Sequence, residues 1–425
     1  MENTTTARLL FADQQGNICD HPTLEMLAAS GEQLVSPAME DLIPLPAGSR
    51  FFYLPQCPPL AWDVELEEVV CLEELEAGEP CFGVSAFLPP AYTRLLLPAV
   101  SYAGKDYQLP LWAYTAVGWS PEINDYVVAA RRVDENRQWE PDLFDDREVV
   151  VGVRRQLSRF PQNRLVRHLR RCALDDHCFA AKNFFLGRWE CPLPVSPVCN
   201  ARCLGCLSWQ SGSGFAASQD RIDFVPTVDE LLEVALSHLE VAENPVLSFG
   251  QGCEGDPILQ AETICSFARR LRQQTSCGTL NVNTNASLPE KVAAMAAAGM
   301  DSIRVSMNSP RKSTYLAYYQ PRGYAFEDVL ASLRAAKDGG LHLAINLLVM
   351  PGITDAPKEA EALLALIEKY DVDQVQMRNL NIDPQLYLET VGMDGEGAIG
   401  IGELLDLLRV EFPDLEIGYF NRYLG

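Results

Sequence analysis

The chain has 425 residues, 48% hydrophobic and 22% charged, enough apolar content for a sizeable core in two or three domains, which excludes general disorder. Lys plus Arg total 34 against 58 Asp plus Glu, a formal net charge of -24, so a phosphate backbone is repelled and nucleic acid is a disfavoured partner. No run approaches the ~18 apolar residues of a spanning helix, so no membrane is expected, and the start has neither a basic nor an apolar signal region. The expected location is the cytoplasm.

From residue 1 to about 147, short apolar runs such as RLLFAD, FFYLP, EEVVCLE, CFGVSAFL, RLLLPAVSYA and LWAYTAVGW alternate with Gly, Pro and Asn/Asp breaks. That pattern predicts a β-rich N-terminal domain, with QQGNI at Gln14–Ile18 as a hairpin turn. It carries no chemical motif. Residues 148–188 read as a helical, Arg-rich connector, with helical periodicity from about Asp146 to Leu174. Arg154, Arg155, Arg159, Arg164, Arg167, Arg170 and Arg171 occur there without an acid among them. The segment is expected to dock on the acidic face that includes Glu65, Glu67, Glu68, Glu73, Glu74 and Glu76. An anionic substrate or phosphorylated partner is the sharper alternative.

From Trp189 the rhythm becomes strand, helix, strand, helix. Strands are predicted near Glu190–Ser196, Pro245–Phe249, Thr279–Thr284, Ser302–Ser306, His342–Val349 and Gln374–Leu380. Thr227–Glu230 and Ser287–Glu290 read as capping boxes, and Gly299 and the Gly339–Gly340 pair as helix ends. Six alternating units imply right-handed crossovers and a parallel sheet. The expected fold class is therefore α/β, a partial parallel barrel of six β/α units within 189–425, closed by a helix and strand extension. In such barrels the chemistry lies at the C-terminal ends of the strands.

Thirteen cysteines are an odd number, and six of them fall between Cys172 and Cys206, which points to metal or redox chemistry rather than a disulfide framework. Directly after the first strand comes SPVCNARCLGCLSWQ, with Cys199, Cys203 and Cys206 spaced by three and then two residues. Three thiolates on one short loop suit a cubic iron–sulfur cluster and leave the fourth iron without a protein ligand. A structural zinc ion wants four ligands, and no histidine is near. The second strand ends in LSFGQGCEGDPIL, where Gly250, Gly252 and Gly255 let backbone approach a ligand, and Glu254 and Asp256 offer carboxylates to an ammonium.

CNARCLGC resembles the CxxxCxxC loop of the radical S-adenosylmethionine (radical SAM) superfamily, at the same place on the first strand. The resemblance implies a radical-SAM barrel whose [4Fe–4S] cluster sits on Cys199, Cys203 and Cys206, with S-adenosylmethionine chelating the open iron. It implies reductive cleavage of that cofactor to a 5′-deoxyadenosyl radical, which takes hydrogen from a small-molecule or peptide substrate. An external electron donor of flavodoxin or ferredoxin type is implied as well. The Gly-rich turn is similar to the family's GGE(P) segment for the methionine amino group, with Asp256–Pro257 aligned on its Glu–Pro. The implied cofactor contacts are Gly250, Gly252, Glu254, Gly255 and Asp256, then Asn283 and Asn285, Ser306 and Asn308, and Val349 beside the adenine. One departure stands out: many members carry an aromatic residue before the third cysteine, and this chain has Gly205.

Arg378, Asn379, Asn381 and Asp383 cluster at the end of the sixth strand and are the first candidates for substrate contacts. Tyr315, Tyr318, Tyr319 and Tyr324 follow the fourth. Cys172, Cys178 and Cys191 are either buried inert thiols or ligands of an auxiliary cluster. The chain lacks the Cys-rich C-terminal extension of SPASM-type members. Two rival readings remain: an RNA-modifying enzyme of the same superfamily, and a non-catalytic iron–sulfur protein.

Overall fold

The computed structural model of the protein describes residues 7–75, 78–210, 216–393, 395 and 397–425. Seven parallel strands form a curled sheet in sequence order: β1 (Glu190–Pro192), β2 (Val246–Phe249), β3 (Thr279–Thr284), β4 (Ser302–Met307), β5 (His342–Val349), β6 (Gln374–Asn379) and β7 (Glu416–Gly418). The first six are the predicted ones, with β1 ending at Pro192 rather than Ser196. Alternation along the strands gives the sheet two unlike faces. Leu247, Val282, Ile303, Val305, Ile345 and Met377 are buried in the main core, on the face that alternation assigns to the crossover helices. The inner face is polar: Asn283 pairs in register with Arg304, Ser306 with Asn346, and Asn346 with Gln376. The chain's end crosses that face, where Gln374 and Gln376 both donate to Phe420 O and Asn421 donates to Ser248 Oγ.

The helices begin and end largely as the sequence signals require. Thr227 and Glu230 make a reciprocal capping box on the helix Val228–Leu239. Ser287 does not cap its helix; Leu288 precedes Pro289 there, and the Ser287 N–H is taken by Asn285 Oδ1. Gly299 ends that helix at φ 101°, and of the Gly339–Gly340 pair only Gly340 is left-handed. The helical stretch from Asp146 is broken at Pro161 into Asp146–Arg159 and Arg164–Leu174, with the Asn163 side chain accepting from Val166 N. A third helix, Phe179–Leu186, follows.

The arginines of this connector do not dock on the run from Glu65 to Glu74; Glu76 lies outside the described residues. Arg159 pairs with Glu240, Arg164 with Glu230 and Arg171 with Asp220. The reason is proximity: Arg164–Leu174 packs beside the first crossover helix, Val228–Leu239, which brings Glu230 and the flanking Glu240 and Asp220 within reach.

The N-terminal residues form a ten-stranded antiparallel sheet and a small three-stranded one. Strand Arg8–Ala12 turns back into Ile18–Met26 through the expected hairpin, with Gly16 at φ 81° and Asp13 Oδ1 accepting from Gln15 N and Asn17 N. Two long strands were not among the runs singled out in the sequence: Ile18–Met26, which lacks an apolar run, and Asp125–Arg132, whose YVVAA run is flanked by charged residues.

This sheet closes on the C-terminal ends of β5 and β6. Arg94, wholly buried, donates to the carbonyls of Tyr114, Val349 and Leu380 at 3.0–3.1 Å. Asn379 accepts from Arg94 N at 2.8 Å and donates to Tyr92 O. Lys105 forms a buried ion pair with Asp383, which also accepts from Leu109 N. Burial pushes the Arg94 guanidinium down to about 9, yet its three carbonyl acceptors need those donors. Arg94→Leu should therefore cost about 3 kcal/mol of stability, roughly 1 kcal/mol per orphaned carbonyl. A urea titration measures it, and an unchanged midpoint would show the contact to be idle.

Candidate functional site

The cysteine loop and the Gly-rich turn are built as one unit. Glu254 is 4% exposed, and its carboxylate accepts four backbone N–H groups. Val195 and Ser196 donate from the end of β1, and Gly250 and Gln251 from the end of β2, all at 2.7–2.9 Å. Burial pushes its carboxyl up to about 7 against the pull of those four donors. Gly255 N donates to Ser196 O and Asp256 N to Val198 O, which carries the tie into the loop itself. Asp256 in turn accepts from Ile258 N, Thr284 Oγ1 and Asn285 N, joining the end of β3. Asn285 Nδ2 reaches Asn200 Oδ1 at 2.8 Å, between the first two cysteines.

Glycine is required at two of these positions. A Cβ on Gly250 would lie 1.8 Å from Asn283 O, and φ there is 82°. A Cβ on Gly255 would lie 2.0 Å from Val198 O. Gly252 differs, since a Cβ there meets only the end of the Gln219 side chain, at 2.7 Å.

Cys199, Cys203 and Cys206 are each partly buried on this loop. Burial pushes the Cys199 thiol up to about 12 and that of Cys203 well up, and the neighbouring thiols and Asp256 add to both. Arg221 Nη2 lies 3.5 Å from Cys206 Sγ, the nearest positive charge. Among the described residues, the three sulfurs are not gathered within 4.8 Å of one another, as the ligand atoms of a single-ion site are. Their spread suits a larger inorganic unit, each thiolate reaching its own iron. Where the loop has Gly205 instead of an aromatic residue, Tyr318 moves in from the helix Lys312–Tyr319, its hydroxyl 2.9 Å from the position a Cβ would take.

The remaining candidates divide into groups. Asn283 donates to Phe249 O and Gly250 O and so braces the turn. Asn308 donates to Thr314 O and the Tyr387 hydroxyl, while its Oδ1 is buried with no partner. Ser306 stands on the polar inner face beside Asn346, whose Oδ1 is also unpartnered. Val349 is fully buried and its carbonyl is taken by Arg94. Asn381 brings its carbonyl against Gly205. Asn379 and Asp383 are consumed by the N-terminal sheet, because a strand-end polar group is satisfied by whatever polypeptide covers it. Arg378 faces inward, donating to Tyr419 O and stacked 4.0 Å from the Tyr419 ring.

The sequence presents Arg304 in alternation with Ser306 and Asn308 on the fourth strand but gives it no role of its own. Burial first, and then the Arg378 guanidinium, push it down to about 9. It donates to Gln376 Oε1 at 3.0 Å, its Nε has no partner, and among the described residues neither arginine has a carboxylate in an ion pair. Native interiors pair nearly all their polar groups, so the orphaned atoms of Arg304, Asn308 and Asn346 mark space that fits polar ligands.

Residues 193–366 match the radical SAM superfamily. The GTP 3′,8-cyclase of Paenarthrobacter nicotinovorans is 25% identical over 228 residues, 52% of this chain and 58% of that protein. GTP 3′,8-cyclase 2 of Pseudomonas aeruginosa is 26% identical over 183 residues, 41% of this chain and 48% of that one. The chain thus spans about half the length of these curated relatives. Among solved structures, HydG, a maturase of the [FeFe]-hydrogenase, aligns with a TM-score of 0.39 at 15% identity, covering 64% of this chain and 63% of that one. Fold and motif together define a partial parallel barrel with a three-cysteine loop after its first strand. Residues 193–366 thus carry a radical SAM domain, and members of that superfamily use a [4Fe–4S] cluster and S-adenosylmethionine.

The two glycine environments make a paired prediction. Gly255→Ala forces the cysteine loop off Val198, so iron bound after anaerobic reconstitution should fall by about half or more, whereas Gly252→Ala should displace only a side chain and keep its iron. Equal iron contents in the two variants, measured colorimetrically, would contradict the close-approach argument.

Proposed function

We propose that this protein is a radical SAM enzyme acting on a small molecule that carries an anionic group. The observation that carries the reading is the polar inner face of the barrel, with Arg304 and Arg378 adjacent, inward-facing and, among the described residues, in no ion pair, Glu190 being the one carboxylate whose charge reaches Arg304. Cys199, Cys203 and Cys206 would hold the cluster, which when bound supplies the electron that splits S-adenosylmethionine reductively. The turn at Gly250–Gly255 would receive the methionine end of that cofactor through backbone. The Glu254 carboxylate is already filled by four amides and Asp256 by three donors, so their part is to hold the turn's shape.

Asn308 Oδ1 and Asn346 Oδ1 would accept from the cofactor's or substrate's hydroxyl or amino groups. Arg304 and Arg378 would orient the substrate's anion, a phosphate or carboxylate, by charge-assisted hydrogen bonds. The relatives are named for GTP, and a nucleoside triphosphate is one member of that class. The N-terminal sheet would exclude water from the mouth, since Arg94, Lys105 and Asn379 seal it at β5 and β6. An RNA substrate is less well supported, because three of the seven arginines between Arg154 and Arg171 already serve carboxylates of this chain. An electron carrier would need neither the orphaned polar atoms nor the arginine pair.

Reduced, reconstituted protein should form 5′-deoxyadenosine from S-adenosylmethionine, and Cys203→Ala should lose that activity. Chromatographic assay of the product decides it. Product formation by Cys203→Ala at the parent rate would overturn the proposal.

A further inference from the structure

Two cysteines outside the cysteine loop come together with a histidine. His168 and Cys172 stand four residues apart on one face of the helix Arg164–Leu174, and Cys253 meets them from the Gly-rich turn, between Gly252 and Glu254. One ligand atom from each lies within 4.8 Å of the other two. Among the described residues this is the one such group of three or more His, Cys, Asp or Glu side chains. All three are buried, at 8%, 1% and 3% exposure.

We propose that His168, Cys172 and Cys253 bind a zinc ion, a second metal centre distinct from the cluster loop. Cys172 Sγ and His168 Nε2 are 3.5 Å apart. In a tetrahedral site, bonds of ~2.3 Å to sulfur and ~2.0 Å to nitrogen place two such ligand atoms ~3.5 Å from each other. The soft nitrogen and sulfur donors favour zinc over magnesium or calcium. Two thiolates, a neutral imidazole and a divalent ion sum to zero charge, which lets the group stay buried without a counter-ion. A hydrogen bond from the Cys253 thiol, with His168 adding to it, draws Cys172 toward the thiolate. Cys178 is the candidate for the fourth position. Its N–H donates to Cys172 O at 2.8 Å, and the charge of Cys172 adds to the burial that holds its thiol neutral. Cys191, on β1, is not part of the group. The ion would fasten the connector helix to the turn that carries Glu254, and it stands whether or not the cluster loop binds iron.

Metal analysis of full-length, anaerobically purified protein tests this. The parent should hold about one zinc besides the iron of its cluster. His168→Ala and Cys253→Ala should each lower zinc by about tenfold or more, while Cys203→Ala should lose iron and keep zinc. Should those variants fail to fold, zinc-edge X-ray absorption of the parent reads the ligands directly. A mixed shell with one nitrogen and two or three sulfurs supports the site. An all-sulfur shell, zinc retained in both His168→Ala and Cys253→Ala, or no zinc after zinc is supplied would overturn it.

Discussion

One buried carboxylate organises the site. Glu254 gathers amides from the ends of two adjacent strands, so the segment leading into the cysteine loop and the Gly-rich turn are fixed relative to each other. Among the described residues no cation pairs with it; four N–H dipoles favour its ionised form against the burial that raises its carboxyl, and only while all four stay in place. The constraint then propagates. Gly255 and Asp256 grip the loop by backbone, Asp256 reaches the end of β3, and Asn285 returns to the loop at Asn200. A cofactor held jointly by the loop and the turn needs that rigidity, because small displacements at a reacting centre are costly.

The second organising feature is how the β-rich N-terminal sheet meets the barrel. The carbonyls at the ends of β5 and β6 would face solvent in an open mouth. Here Arg94 collects two of them together with Tyr114 O, and the Lys105–Asp383 pair is buried beside them. A buried pair of this kind is weak evidence for net stability but strongly resists removal of either partner. The N-terminal sheet is therefore fastened at the end of the barrel where the chemistry is expected, which suits a reaction that must be kept from water and stray hydrogen donors.

The barrel was legible in the sequence because its strands are short apolar runs punctuated by explicit helix signals, and all six predicted strands are present. The cysteine loop and the Gly-rich turn were legible as spacing. What the sequence concealed was allegiance. Asn379 and Asp383 read as substrate contacts because they end a strand, yet nothing in their local sequence says that Arg94 and Lys105, nearly 300 residues upstream, would claim them. Glu254 read as a free carboxylate for the same reason. Arg304 was legible as one of the alternating polar residues of β4, but its neighbour Arg378 comes from another strand, so their pairing was not. The grouping of Cys172 with His168 and Cys253, rather than with Cys178 and Cys191, likewise depends on a helix and a turn 80 residues apart.

The central claim is that the cysteine loop leaves one iron open and that S-adenosylmethionine occupies it. Electron paramagnetic resonance of the reduced protein, recorded with and without S-adenosylmethionine, tests it most directly. The account predicts a cluster signal whose g values shift when the cofactor is added, because a new ligand joins the open iron. A reduced cluster whose spectrum stays the same at saturating cofactor would contradict it.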